Sequence, residues 1–90
     1  MNRFDCLHAA SAAITNNESI YGTPVATFSR VAELWSAVFD VPFTPLDVAL
    51  ALILLKVARA HNGPHLDNWI DIAGYAALGA ELEESLNGES

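Results

Sequence analysis

The sequence has 90 residues, 52% of them hydrophobic and 17% charged, and eleven acidic against four basic residues give a net charge of −7. This length allows one small domain with a single core, and the apolar fraction is too high for a disordered tail. The acidity argues against binding to a nucleic-acid backbone. The single cysteine, Cys6, excludes an internal disulfide and a zinc cluster built from cysteines.

The sequence predicts neither a leader nor a membrane segment. The first residues include the acidic Asp5 and no apolar run follows them, so no signal peptide is predicted and we expect the protein in the cytoplasm. Eight consecutive apolar residues begin at Val48. Asp47, Lys56 and Arg59 keep this run well short of the roughly 20 apolar residues that a membrane-spanning helix needs. A buried helix is the better interpretation, and no membrane partner is predicted.

The first predicted helix covers residues 3–16, where apolar side chains recur at helical spacing. The adjacent Asn16 and Asn17 provide a plausible end, and a loop over residues 18–23 is predicted to follow. Neither this segment nor any other shows the strict alternation of apolar and polar residues that is typical of a half-buried strand. The start of the chain is therefore predicted to be helical.

The second predicted helix covers residues 24–39, since Thr23 can cap it and Pro24 fits its first turn. Its apolar side chains again recur at helical spacing and form one stripe. A short connection follows, and Pro42 within it prevents the helix from continuing.

The third predicted helix covers residues 45–61 and begins at the clearest start signal in the chain. Thr44 can cap it, while Asp47 can reach back to the backbone of the cap. Gly63 lies in the turn that ends it, and the fourth predicted helix covers residues 66–86. The last residues, 87–90, are predicted to be frayed.

These elements predict an all-α fold, a compact four-helix bundle that forms one domain over residues 1–90. The third and fourth helices form its central apolar hairpin. The third helix is apolar on every side, which leaves two interpretations open. Either the other three helices surround it, or part of its surface is buried in a homo-oligomer. The second interpretation is favoured.

The few charged residues cluster around the predicted hairpin. Lys56 and Arg59 are one helical turn apart, and so are Asp67 and Asp71, with Asn68 between them. An antiparallel hairpin lets the two pairs face each other. They could form a salt-bridge network that fixes the hairpin, or a polar pocket in which the bases bind an anionic group.

A metal site is conceivable where His61, His65 and Asp67 surround the turn between the third and fourth helices. Histidines in turns are more often exposed or capping residues, so we predict no metal ion. No phosphate-binding glycine loop and no nucleophile elbow is present. The sequence therefore predicts neither a cofactor nor a catalytic residue.

A pattern spread over most of the chain, from Tyr21 to Leu82, resembles a family of short phage and prophage proteins of unknown function. Its parts are Tyr21-Gly22, Phe28-Ser29-Arg30, Leu34-Trp35, Asp47-Val48-Ala49, Lys56-Val57-Ala58-Arg59 and Asp67-Asn68-Trp69-Ile70-Asp71-Ile72-Ala73-Gly74-Tyr75. The pattern is also similar to the nucleotide-modification-associated domain of phages. More distantly, the hairpin looks like that of the MazG-type all-α nucleoside triphosphate pyrophosphohydrolases.

The MazG resemblance implies a magnesium site, with Glu-x-x-Glu on one helix and Glu-x-x-Asp on the next. In this sequence the corresponding positions hold Lys56-x-x-Arg59 and Asn68-x-x-Asp71, so only Asp71 matches. Two acids have become bases, and the magnesium cage of that family is not available. Lys56 and Arg59 remain as fixed cations that could bind a phosphate directly.

The predicted function is to bind a nucleotide or another phosphate-bearing small molecule without chemistry, which could sequester a signal of host defence in the host cytoplasm. The predicted ligand-binding residues are Lys56, Arg59, Asp67, Asn68, Asp71, Arg30, Tyr21 and Tyr75. One alternative is a protein-interaction module acting on a host or phage partner through the apolar third helix. A further alternative is an altered Mg²⁺-dependent nucleotide pyrophosphohydrolase, with Asp67 and Asp71 as metal ligands.

Overall fold

The computed structural model describes residues 1–86, with side chains as far as residue 85, and within that range it has four α-helices and no strand. The helices are α1 (Arg3–Tyr21), α2 (Pro24–Phe39), α3 (Pro45–His61) and α4 (Leu66–Leu86). The prediction of an all-α fold is confirmed, and α2 to α4 have the predicted bounds. The predicted fraying of residues 87–90 lies outside the described residues.

The predicted end of the first helix is wrong. Helix α1 continues past Asn16 to Tyr21, and only two residues separate it from α2. Asn16 lies inside the continuing helix, and the Ser19 hydroxyl donates to its carbonyl oxygen at 2.7 Å. Gly22 ends the helix with a φ of 88°, and its N–H donates to the Glu18 carbonyl at 3.0 Å. Only glycine adopts that backbone conformation readily.

The predicted start signals of α2 and α3 are confirmed by their cap hydrogen bonds. The Thr44 hydroxyl accepts from the backbone N–H of Asp47 at 3.2 Å, and the Asp47 carboxylate accepts from the Thr44 N–H at 2.8 Å. The Thr23 hydroxyl accepts from the Ala26 N–H at 3.3 Å. Both caps bind N–H groups that the first helical turn leaves without partners.

The α3–α4 hairpin holds the other two helices. Helix α3 packs most extensively against α4, while α1 packs mainly on α4 and α2 on α3. The buried core lies where α2 meets the hairpin, and it consists of Phe28, Ala32, Val48, Ala49 and Leu82. Since α1 and α2 rest on different helices, they diverge and leave a cleft between them.

Helix α3 is not enclosed by the rest of the described chain. Leu50, Leu54 and Val57 are 52%, 66% and 49% exposed. The interpretation that the other three helices surround α3 is therefore wrong, because only α4 and α2 pack closely on it. Burial of this face in a homo-oligomer stays a prediction.

None of the helices in residues 1–86 combines the length and the apolar character that a membrane crossing demands. The longest described helix, α4, carries Asp67 in its first turn. The apolar run of α3 is interrupted by Lys56 and Arg59, as the sequence shows.

Ser36 connects α2 to the segment that leads into α3. Its hydroxyl donates to the Ala32 carbonyl at 2.7 Å and accepts from the Phe43 N–H at 2.9 Å. This second bond positions the Phe43 ring against Trp35, with ring centroids 5.7 Å apart in an edge-to-face arrangement. One partly buried hydroxyl therefore joins the core to the α2–α3 connection.

Replacing Ser36 with alanine should lower the free energy of unfolding by about 1–2 kcal/mol, because the partly buried Phe43 N–H loses its partner. Ser29→Ala is the matched control, since the Ser29 side chain on the same helix makes no hydrogen bond with another described residue. Urea unfolding followed by circular dichroism measures both variants. Equal destabilisation would contradict the connecting role of the hydroxyl.

Candidate functional site

The candidate site lies along one side of the α3–α4 hairpin. Six residues at intervals of three and four positions form it, three from each helix, and we call them the α3–α4 seam: Leu52, Lys56, Arg59, Asn68, Asp71 and Tyr75. Because the helices are antiparallel, the first residue of one trio faces the last of the other. The structure supports this register at three points. Lys56 contacts Asp71, Leu52 and Tyr75 line one depression, and Arg59 and Asn68 line another.

An ion pair joins the two helices at the middle of the seam. The Lys56 ammonium lies 3.0 Å from the Asp71 carboxylate, and the two side chains are 16% and 38% exposed. Within residues 1–86, neither Arg59 nor Asp67 forms an ion pair. Of the predicted salt-bridge network, the described residues therefore form the pair of Lys56 with Asp71.

An apolar cleft of about 240 Å³ lies on one side of this ion pair, between α1 and α2 and above the hairpin. Its lining is mostly aliphatic and aromatic and includes Ile14, Tyr21, Phe28, Leu52, Gly74 and Tyr75. Glu18 and Asp71 supply its acidic groups. Clefts of this character, apolar with a few polar groups at the edge, are the usual sites of small-molecule binding.

A polar depression of about 240 Å³ lies on the other side of the ion pair, at the turn of the hairpin. Arg59, Asn62, His65 and Asn68 line it. Its shape depends on the turn, where the Asn68 N–H donates to the His65 carbonyl at 3.1 Å. The depression thus presents one guanidinium together with neutral hydrogen-bonding groups.

Asn68 has an unusual environment for a polar residue. It is only 6% exposed, yet its side-chain amide makes no hydrogen bond with any residue in the described chain. Buried polar groups in native proteins nearly always have a partner from the protein, from water or from a ligand. The amide therefore has the capacity to bind a group that enters the polar depression.

The structure brings together six of the eight predicted ligand-binding residues. They line one of the two depressions or form the ion pair between them: Tyr21, Lys56, Arg59, Asn68, Asp71 and Tyr75. Arg30 lies apart on α2, 74% exposed and 4.0 Å from Glu33. Asp67 is exposed in the first turn of α4 and lines neither depression.

Apart from Tyr21, sequence reasoning missed the contribution of α1 to the cleft, because no local pattern shows how α1 packs on α4. The sequence does contain one indication of the cleft, Gly74. It lies inside a helix, where glycine lowers the stability by about 0.5–1 kcal/mol relative to alanine. Packing does not demand it, since an added Cβ would lie 3.9 Å from Ile14 Cγ1, an ordinary contact distance. The glycine instead leaves space in the cleft that it lines.

A protein metal site gathers several acidic, histidine or cysteine side chains around one point. In the part of the chain that the structure describes, no three His, Cys, Asp or Glu side chains gather as a metal site would require. Of the residues predicted to surround the turn, His65 lines the polar depression, whereas Asp67 lines neither depression.

Residues 5–83 match the family described as "Domain of unknown function (DUF6378)", and the chain belongs to this family. The "Gene 55 protein" of Mycobacterium phage L5 is 50% identical over 60 residues, which cover 64% of this chain and 38% of the relative. The "Gene 55 protein" of Mycobacterium phage D29 is 38% identical over 71 residues, which cover 77% and 47%. The chain thus spans less than half the length of either relative. No solved structure matches the chain.

These comparisons support an uncharacterised family of phage proteins, and the predicted resemblance to such a family is confirmed. The resemblances to the nucleotide-modification-associated domain and to the MazG-type enzymes stay predictions. The family description names no ligand. Any function must therefore be argued from the site.

The central ion pair should contribute a measurable coupling free energy. In a double-mutant cycle of Lys56→Met and Asp71→Asn, we expect about 1 kcal/mol, because the ammonium is largely buried while the carboxylate is partly screened by solvent. The coupling should shrink as salt is added. Asp67→Asn paired with Lys56→Met is the matched control and should show no coupling. Urea unfolding measures all the variants, and equal coupling in the two cycles would contradict the assignment.

Proposed function

We propose that the chain binds a nucleotide, or another phosphate-bearing small molecule, along the α3–α4 seam and performs no chemistry on it. The observation that carries this proposal is the arrangement of two unlike depressions on either side of one ion pair. The apolar cleft suits a flat, apolar ring, and the polar depression suits an anion. A nucleotide combines these two chemistries in one molecule.

The apolar cleft provides aromatic surfaces for a base. The Tyr75 ring packs near the buried Phe28, with centroids 6.4 Å apart, and both rings line the cleft. Tyr21 stands at the end of α1 with 72% of its surface exposed, where it can cover a bound ring. Stacking on aromatic side chains contributes about 1–3 kcal/mol per base in nucleic-acid binding proteins.

The polar depression provides donors for a phosphate. The Arg59 guanidinium can bind two phosphate oxygens at once, and the Asn68 amide is a buried donor without a described protein partner. Asn68 and Tyr75 are seven residues apart on α4, which corresponds to roughly 10 Å along a helix. A base, its sugar and a phosphate can span that separation.

The ion pair between the depressions would face the sugar. The Asp71 carboxylate can accept hydrogen bonds from hydroxyl groups, and its charge is balanced by the Lys56 ammonium 3.0 Å away. The net positive charge of the seam therefore comes from Arg59, which forms no ion pair within the described residues. That charge matters because the chain as a whole carries −7, which repels anions in general.

We expect binding without chemical turnover because of the side chains that the seam offers. The seam offers one carboxylate, Asp71, where MazG-type magnesium sites use four acidic residues. Without such a cage, the phosphates would meet fixed cations and a buried amide, which bind an anion but provide no activated water. A protein of this kind would sequester its ligand and release it intact.

A depletion experiment tests this function directly. The purified chain is incubated with nucleoside phosphates, cyclic dinucleotides or ADP-ribose in the presence of Mg²⁺, and both filtrate and heat-released material are analysed by chromatography. A compound that is lost from the filtrate and recovered intact supports the proposal. A new product would show an enzyme instead, and full recovery of every compound in the filtrate would contradict small-molecule binding.

Arg59→Ala should weaken binding of the depleted compound roughly 10- to 150-fold, the equivalent of losing charge-assisted hydrogen bonds worth about 1.5–3 kcal/mol. Arg30→Ala removes the same side chain from an exposed position that lines neither depression, and it should bind like the wild type. Calorimetric titration measures both affinities. A loss shared equally by the two variants would show that general charge, rather than the seam, attracts the ligand.

Gly74→Ala should stabilise the fold and weaken binding together. Removing glycine from a helix interior gains about 0.5–1 kcal/mol, while the new methyl group occupies the cleft and should lower affinity several-fold. Gly79→Ala is the matched control on α4, since its Cβ would lie 4.0 Å from Ala49 and Leu46 and outside the cleft. Thermal unfolding and titration measure the two effects. Unchanged affinity in Gly74→Ala would place the ligand elsewhere.

A further inference from the structure

The outward side of α3 carries an apolar stripe that nothing in the described chain covers. Leu50, Leu54 and Val57 follow one another at intervals of four and three residues, so they share one face of the helix, and we call them the α3 stripe. They are 52%, 66% and 49% exposed. Lys56 lies on the opposite side of the same helix, at roughly 160° from Leu54 around its axis.

The described residues expose more large apolar side chains than they bury. Sixteen large hydrophobic side chains are exposed, whereas six apolar residues are buried. Contiguous apolar surface on a small domain is typical of an interface with another protein chain.

The stripe is self-complementary. Asp47 and His61 each lie seven residues from Leu54, at opposite ends of α3, and no charged residue lies on the stripe between them. If two copies of α3 pack antiparallel with the dyad at Leu54, the acidic end of one helix meets the imidazole end of the other. The opposed helix dipoles also favour this arrangement, and it is the isologous contact found in most homodimers.

We propose that a second copy of this chain covers the α3 stripe, forming an antiparallel homodimer with Leu54 at its symmetry axis. Two acidic chains can approach here because the stripe is uncharged, whereas a charged face would oppose contact between like charges. The proposal does not rest on the proposed function. The α3–α4 seam lies on the other side of the hairpin, so both copies of the candidate site remain accessible in the dimer.

Sedimentation velocity of the full chain tests the dimer. The wild type should sediment as a species with twice the mass of one chain. Leu54→Asp should sediment as a single chain, because two carboxylates would meet at the axis. Val38→Asp is the matched control: it places the same charge on α2, at a side chain that is 74% exposed, and should leave the dimer intact. Circular dichroism verifies that each variant is folded. A monomeric wild type, or a dimeric Leu54→Asp, would overturn the proposal.

A cross-linking measurement tests the position of the axis independently of that substitution. In a Cys6→Ser background, Leu54→Cys brings two sulfurs together across the dyad, where a disulfide needs Cβ atoms about 3.5–4.5 Å apart. Mild oxidation should convert most of the chain to a covalent dimer. Leu34→Cys, on α2 and 53% exposed, should cross-link far less. Equal cross-linking of the two cysteine variants would overturn the arrangement about Leu54.

Discussion

The ion pair between Lys56 and Asp71 is the interaction on which the rest of the candidate site depends. It joins α3 to α4 at 3.0 Å, and it stands between the apolar cleft and the polar depression along the hairpin. A charged pair in this position contributes little net stability, because desolvation opposes the Coulomb attraction. Its structural effect is to fix the register of the two helices and the separation of the two depressions.

The second constraint is the small core. The buried residues include two alanines, Ala32 and Ala49, and one large aliphatic residue on α4, Leu82. Small residues let the helices approach closely, and Gly79 on α4 faces Ala49 on α3, where an added Cβ would lie 4.0 Å from the alanine. In the described residues, more large apolar side chains are exposed than are buried. The surplus appears as the exposed face of α3 and as the lining of the cleft between α1 and α2.

The parts of the structure that the sequence predicts are those decided by local contacts. The starts of α2 and α3 follow from threonine caps, whose hydrogen bonds reach only three residues ahead. The pairing of Lys56 with Asp71 follows from the length of one turn between two helices. The end of α1 does not follow, because Asn16 is compatible with both a helix and a stop. The cleft depends on how α1 diverges from α2, and Arg30 lies outside it because of that same packing, which no local pattern records.

The connection between α1 and α2 has a consequence for the thermodynamics of any ligand in the cleft. Only Gly22 and Thr23 separate the two helices, and Pro24 has a backbone angle that its ring fixes. So short a connection keeps the adjoining ends of the two walls together. This end of the cleft is then preorganised, and a ligand there need not order a long mobile segment before it binds. Binding here should therefore be governed by contact and desolvation, with little contribution from the loss of backbone entropy.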